Sequence, residues 1–259
     1  MNDIAPAAAF RRPPLPRWSL TVVDAFDVTA RMRRVRLVGE TLDGFAYRPG
    51  QDLVLNIPAA DGGTARRHYT IRAFDPAEQL IDIDVVLHGD SPAVTWARSA
   101  RLDDTIDAEG PRGRTYVAPN ADWHYFVGDE TCLPGIFAMV EALPAGAKAS
   151  VVLAVAGPEE EQPLESAAEV DLRWLHRGGP PQAPCPALTE TVAQFTPPAG
   201  DGQVYLIGET STVRAQRQAL IARGFPKERI TAEGYWRPGR IGGHDHVFDA
   251  ELLDARGRL

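Results

Sequence analysis

From Leu20 onward the chain carries short apolar runs broken by Gly, Pro and Asp, at 20–28, 32–38, 52–57, 68–73 and 80–87. Short strands separated by turn signals predict an antiparallel β-barrel. In Ile81-Asp82-Ile83-Asp84-Val85 the alternation is strict, which points Ile81, Ile83, Val85 and Leu87 inward and Asp82 and Asp84 outward. One helix interrupts this region, with Ser91 as N-cap, Pro92 at its first position and a body running to about Ala100. The run Gly110-Pro111-Arg112-Gly113 then ends a last strand.

After Asn120 the pattern changes to apolar strands alternating with helical stretches, the signature of βαβ units and a parallel sheet. Strands are expected at 123–127, 148–155, 171–175 and 203–207, and helices at 131–143 and 187–195. Ser211 is expected to cap a helix running to Arg223, with Gly224 in the left-handed position after it. A final strand starts at Ile230 and leads into Tyr235-Trp236, while 157–168 and 178–186 read as connectors. The expected organisation is an arm over 1–16, rich in Pro and Ala, a β-barrel domain over 17–118 and a parallel-sheet α/β domain over 119–259.

Composition adds bounds. A chain of 259 residues with 44% hydrophobic content suits two modest cores. No apolar run approaches the roughly 20 residues of a membrane span, and the first residues lack a charged-then-apolar leader pattern. The expectation is a cytoplasmic protein without membrane association. A net charge of −8 argues against nucleic acid as a partner, so any anion site must be a local basic pocket. Cys132 and Cys185 show no metal-ligand spacing, and Cys132 reads as a small buried residue filling a helix start. His244 and His246 flank Asp245, but no third ligand lies near them in sequence, so no metal site is expected.

The segment Arg67-His68-Tyr69-Thr70-Ile71-Arg72 places an aromatic ring, a hydroxyl and two guanidinium groups on one strand. Alternation puts Arg67, Tyr69 and Ile71 on one face and His68, Thr70 and Arg72 on the other. A flavin dinucleotide needs a flat apolar partner for its ring system, a small donor near its N5, and a cation for its pyrophosphate. A surface strand of alternating polar residues explains the same letters. Gly128-Asp129-Glu130-Thr131 and Gly208-Glu209-Thr210-Ser211 each stand at a strand-to-helix junction, where free N–H groups bind nucleotides. Neither matches G-x-G-x-x-G, and two ordinary N-caps are the plain alternative.

Taken in order, with His88-Gly89 before Trp96, Gly128-Asp129-Glu130-Thr131-Cys132-Leu133-Pro134-Gly135-Ile136, Gly208-Glu209-Thr210-Ser211 before Arg214, and Gly234-Tyr235-Trp236-Arg237-Pro238-Gly239, the chain resembles the siderophore-interacting protein family. These are flavin-dependent ferric-siderophore reductases related to the ferredoxin reductase superfamily. The resemblance runs from about Trp18 onward. The family often has Gly directly before the Pro that follows the His-Gly pair, where this chain has Ser91.

The resemblance implies a ferredoxin-reductase-like fold, FAD as cofactor, NADPH or NADH as donor, and a ferric siderophore as substrate, the chain being taken as a monomer. It implies that Tyr69 packs on the flavin, Thr70 sits near its N5 and Arg67 holds its phosphates. His68, Arg72 and His88 join the flavin contacts. Gly128, Asp129, Glu130 and Thr131 would approach the nicotinamide end, and Gly208 and Glu209 would lie along the same cofactor. The carboxylates would then serve ribose hydroxyls or the carboxamide. Trp236 stands at the opening, and Arg66, Arg237 and Arg240 become the candidate cations for an anionic siderophore. Arg177 or Arg214 could meet the 2′-phosphate of NADPH. The alternatives are a general NAD(P)H:flavin or ferredoxin-type oxidoreductase, and a non-catalytic flavin- or siderophore-binding module.

Overall fold

Six antiparallel strands close into a barrel: β1 (Arg17–Thr29), β2 (Met32–Val38), β3 (Asp52–Pro58), β4 (Thr64–Asp75), β5 (Leu80–Val86) and β6 (Thr105–Arg112), in the order β1-β2-β5-β4-β3-β6. The structure is a computed structural model that describes residues 14–39, 42–59, 62–181, 183–239 and 245–246. Alternate residues of the strands meet inside, where Leu53, Leu55, Ile57, Ile71, Ile81, Ile83 and Val85 are fully buried. Helix α1 (Pro92–Ser99) joins that core through Ala93, Trp96 and Ala97. It starts where the sequence indicates, with the Ser91 hydroxyl accepting from Val94 N at 3.3 Å.

The outward residues of β5 differ from expectation. Asp82 and Asp84 leave the barrel interior, yet they are only 5% and 4% exposed. Arg34 on the neighbouring strand covers Asp84 with a two-pronged contact, Nε to Oδ1 at 2.7 Å and Nη2 to Oδ2 at 2.9 Å. Arg36 reaches Asp82 at 3.3 Å. A buried carboxylate is tolerable when guanidinium groups replace its water.

The second half is a sheet in the order β12-β11-β10-β7-β8-β9, made of β7 (Trp123–Asp129), β8 (Lys148–Val155), β9 (Glu169–His176), β10 (Gly202–Glu209), β11 (Ile230–Trp236) and β12 (Asp245–His246). Five strands are parallel, and β12 runs antiparallel to β11. Helix α2 (Leu133–Glu141) covers one face through Leu133, Ile136, Phe137 and Val140. Helices α3 (Pro186–Gln194) and α4 (Thr210–Ala222) cover the other through Leu188, Val192, Val213 and Leu220. Double cover explains why β7 and β10 are buried along their whole length, with near-continuous apolar runs. The chain order reverses between β7 and β10, the switch point at which open α/β sheets bind ligands beyond their carboxyl ends.

Two helix starts move by two residues. Helix α2 begins at Leu133 rather than Thr131, because Asp129 Oδ1 accepts from Thr131 N at 2.9 Å and holds that residue in a turn before the helix. Helix α4 begins at Thr210, because Glu209 rather than Ser211 caps it. The connector after β8 also contains one 3-10 turn at Pro158–Glu160.

The two halves meet through named pairs. Arg72 on β4 grips Glu141 of α2 with contacts of 2.5 and 2.6 Å, and Thr29 Oγ1 donates to Glu160 Oε2 at 2.5 Å. Among the described residues no helix is long and apolar enough to cross a membrane.

His124 on β7 links core chemistry to pH. It is 4% exposed, and its Nδ1 lies 3.3 Å from the Tyr205 hydroxyl, which accepts from Ala118 N at 2.8 Å. Burial lowers its pKa from the ordinary 6.5. The unfolded chain therefore takes up this proton more readily, so the stability His124 contributes is fully present above 6.5 and is lost as pH falls through the depressed folded value. Thermal melts across mildly acidic pH should show the midpoint falling, with a shallower fall in His124→Gln.

Candidate functional site

The outer face of β4 lies against the carboxyl ends of the parallel strands, and a crevice forms there. Thr70, 7% exposed, brings its hydroxyl to 3.4 Å from the Tyr235 hydroxyl at the end of β11. The first turn of α2 packs on Thr70 as well, since a Cβ on Gly135 would lie 3.1 Å from Thr70 Cγ2. Burial raises the Tyr235 pKa strongly, with the Thr70 hydrogen bond opposing, so the phenol keeps its proton.

Asp129, at the end of β7, ties three strand ends together. Its Oδ1 accepts from Thr131 N at 2.9 Å and from Thr131 Oγ1 at 2.5 Å. Its Oδ2 accepts from Glu209 N at 3.0 Å, at the end of β10, and from Trp236 Nε1 at 2.9 Å, at the end of β11. Gly208 permits this approach, because at its φ of 135° an added Cβ would stand 2.6 Å from Asp129 Oδ2. Gly128 is required in another way. A Cβ there would fall 2.1 Å from Cys132 Sγ and 2.7 Å from the Ile207 carbonyl oxygen. Cys132 is fully buried, its thiol donates to the Asp129 carbonyl at 3.0 Å, and burial drives its pKa well up, which makes it inert packing.

The other carboxylates near the crevice are engaged. Glu209 Oε1 accepts from Ser211 N at 2.9 Å, and Oε2 accepts from Thr212 N and Thr212 Oγ1 at 2.8 Å each and from Ser211 Oγ at 2.6 Å. Burial alone would raise the Glu209 pKa, but these hydroxyl and amide donors outweigh it and lower it. Its oxygens therefore face its own helix rather than a ribose. Glu130 pairs with Arg177, leaving Glu130 Oε2 buried without a partner. Burial raises its pKa, with Arg177 opposing.

Strand β4 divides its polar residues as alternation requires. Arg67 and Tyr69 stand opposite Leu55 and Leu53 of β3, on the face that turns toward the barrel interior. Tyr69 packs against the core that α1 closes, and burial raises its hydroxyl pKa. Arg67 Nη1 donates to the Arg66 carbonyl at 2.9 Å, and no carboxylate among the described residues lies within ion-pair distance of it. On the opposite face, Arg66 pairs with Glu109 at 2.9 Å, His68 Nδ1 lies 3.2 Å from Asp52 Oδ1, and Arg72 binds Glu141. Arg72 thus joins the two halves. His88 is exposed at the end of β5, and its ring is tilted against Trp236 with centroids 6.5 Å apart. Partial desolvation lowers its pKa from 6.5 while Asp129 opposes, so the imidazole is neutral near pH 7.

These residues fit a flavin dinucleotide. Among the described residues no carboxylate lies within ion-pair distance of Arg67, and Trp236, its ring tilted against His88, follows Tyr235 of the Thr70–Tyr235 hydroxyl pair, while Tyr69 stands on the other face of β4. Asp129 and Glu209 spend their oxygens on internal donors, so neither is free to contact a ligand directly. Tyr235 stands in the Tyr235-Trp236-Arg237 group read from the sequence but is not among the expected site residues, and the signal available was its place beside Trp236 at a strand end. Arg237 is exposed just after β11, whereas Arg240 and His244 lie outside the described residues. Among the described residues no group of three or more His, Cys, Asp or Glu side chains could hold a metal. A cavity of about 470 Å³ lies at the far, amino-terminal edge of the sheet, beside Lys148 and Glu169, so cavity size does not mark the chemistry.

Comparison with known proteins reaches the same two halves. Residues 54–115 match the family described as Siderophore-interacting FAD-binding domain, and residues 121–239 match the family described as Siderophore-interacting protein. The ferric vibriobactin reductase ViuB of Vibrio cholerae is 30% identical over 236 residues, covering 82% of this chain and 86% of that protein. The NADPH-dependent ferric-chelate reductase of Escherichia coli is 26% identical over 239 residues, covering 84% and 91%. The crystal structure of a siderophore utilization protein from T. fusca superposes with a TM-score of 0.83 at 30% identity, over 92% of this chain and 98% of that one.

Proposed function

The chain belongs to the siderophore-interacting protein family, and from that premise we propose that it is an NAD(P)H-dependent flavin reductase of ferric siderophores. The observation that carries the reading is the junction of Thr70 with Tyr235 and the first turn of α2. It sets the barrel strand bearing Arg67, Tyr69 and Thr70 directly against the switch point of the nucleotide-binding type of sheet. In this reading the barrel, 17–118, holds FAD and the α/β part, 119–259, receives NAD(P)H.

Bound FAD supplies the conversion of a two-electron hydride donor into a one-electron reductant. The chain supplies position and electrostatics. Arg67 holds the pyrophosphate, Tyr69 and Trp236 present ring faces, and Thr70, fixed by Tyr235, offers its hydroxyl to the flavin edge. The neutral imidazole of His88 packs there without adding charge. Thr131, half-buried after β7, gives its N–H and hydroxyl proton to Asp129, so its hydroxyl oxygen would serve the nicotinamide end only as an acceptor. The E. coli relative is named as NADPH-dependent, and Arg214, exposed near the start of α4, is the candidate for a 2′-phosphate. Arg177 is occupied by Glu130.

The substrate is an anionic chelate, which needs cations at the opening. Arg66 and Arg237 are exposed there in this reading, and the Arg66–Glu109 pair can open because the Arg66 side chain is 56% exposed. Arg240 is a further candidate. Reduction to Fe(II) weakens the hold of hard oxygen ligands and frees the iron, which arrives chelated and needs no resident metal site.

Anaerobic titration of FAD-loaded protein with NADPH, and separately with NADH, should bleach the flavin. Adding a ferric siderophore with a ferrous trap should restore its colour and yield trapped Fe(II). Bleaching without iron release would favour a general flavin or ferredoxin-type reductase. An unbleached flavin would favour a non-catalytic binding module.

A further inference from the structure

We propose that Asp129 is a positioning residue that sets the Trp236 indole at the flavin opening, rather than a group that itself contacts the cofactor. The inference rests on the functional reading above. Asp129 is 5% exposed, and its two oxygens accept from four donors on Thr131, Glu209 and Trp236. That leaves no strong acceptor site for a ribose or carboxamide.

What Asp129 controls is visible from the Trp236 side. Trp236 ends the last parallel strand, where the register with β10 slips between Gly208 and Glu209. Backbone pairing alone therefore does not fix its ring. The indole N–H has one acceptor, Asp129 Oδ2, and the ring faces His88 of the barrel half. A second tie, Thr210 Oγ1 to the Trp236 carbonyl at 3.0 Å, holds the backbone but leaves the side chain free to turn. Asp129 is thus the contact that decides where the indole points. Asparagine at 129 cannot replace it, because its amide NH₂ would confront either the Thr131 N–H or the paired Glu209 and Trp236 donors.

Three variants test this: Asp129→Asn, Trp236→Phe and the double variant. Protein labelled with fluorotryptophan should give one resonance for each of its five tryptophans, and loss in Trp236→Phe identifies that of Trp236. In Asp129→Asn this resonance should move while the other four stay, without any flavin present. FAD titration of the apo proteins should show each single variant weakened about tenfold, as expected for losing a hydrogen bond to a charged acceptor. The double variant should be no weaker than the worse single. An unmoved Trp236 resonance in Asp129→Asn, or losses that multiply in the double variant, would overturn the inference. Shifts spread over all five resonances would also overturn it, since they signal a general structural role. If the unaltered chain binds no FAD, the functional reading falls too, and the resonance still reports whether Asp129 governs the indole.

Discussion

Replacing Arg67 with alanine is expected to lower FAD affinity about a hundredfold, the scale for losing a two-pronged, charge-assisted grip on phosphate. Folding should hardly change. Arg67 makes one hydrogen bond, to the Arg66 carbonyl, and its removal strands no carboxylate among the described residues. The stability change should stay within about 0.5 kcal/mol, as for surface positions without special contacts. Arg67→Lys should recover only part of the affinity, because an ammonium lacks the planar fork. Titrating apo protein with FAD, beside urea unfolding of the same samples, checks both halves. Unchanged FAD affinity in Arg67→Ala would remove this residue from the flavin site.

The same strand shows what local sequence can and cannot reveal. Alternation along Arg67 to Arg72 correctly divides the residues between two faces, because the side-chain period of a strand is fixed by the backbone. It does not say what each face meets. Thr70 meets Tyr235, 165 positions away, and Arg72 meets Glu141 across the two halves, contacts that depend on how barrel and sheet dock. Asp82 and Asp84 illustrate the same limit. Their polarity reads as a solvated face, and only the pairing of β2 with β5 brings Arg34 and Arg36 over them.

The barrel and the parallel sheet were legible because both write their periods into the sequence, and the ordered motifs indicated the family. The tasks of individual carboxylates were less legible. Asp129 and Glu209 stand at strand ends where ligand contact and internal capping call for the same residue types. The number of donors already bound to each oxygen separates the two, and that number is a property of the folded chain.

The largest stability effect should come from this hidden layer of charge. Asp84 has a side chain with no exposed surface, held by Arg34 at 2.7 Å and approached by Arg72 at 3.9 Å. Arg34→Ala leaves that carboxylate with only the longer contact, while Arg72 stays drawn to Glu141. Removing one partner of a buried pair costs about 3–5 kcal/mol, because the remaining charge is desolvated without compensation. Replacing both partners, as in Arg34→Met with Asp84→Leu, should return most of that loss, since it removes the stranded charge and keeps apolar bulk. The restored variant should still bind FAD, because neither residue belongs to the face carrying Arg67 and Tyr69. Urea unfolding of the single and double variants, with FAD titration of the double, measures both consequences. A single variant as stable as the parent would mean that Arg72 alone neutralises Asp84, and the layer would then be held by the junction between the two halves rather than by the barrel.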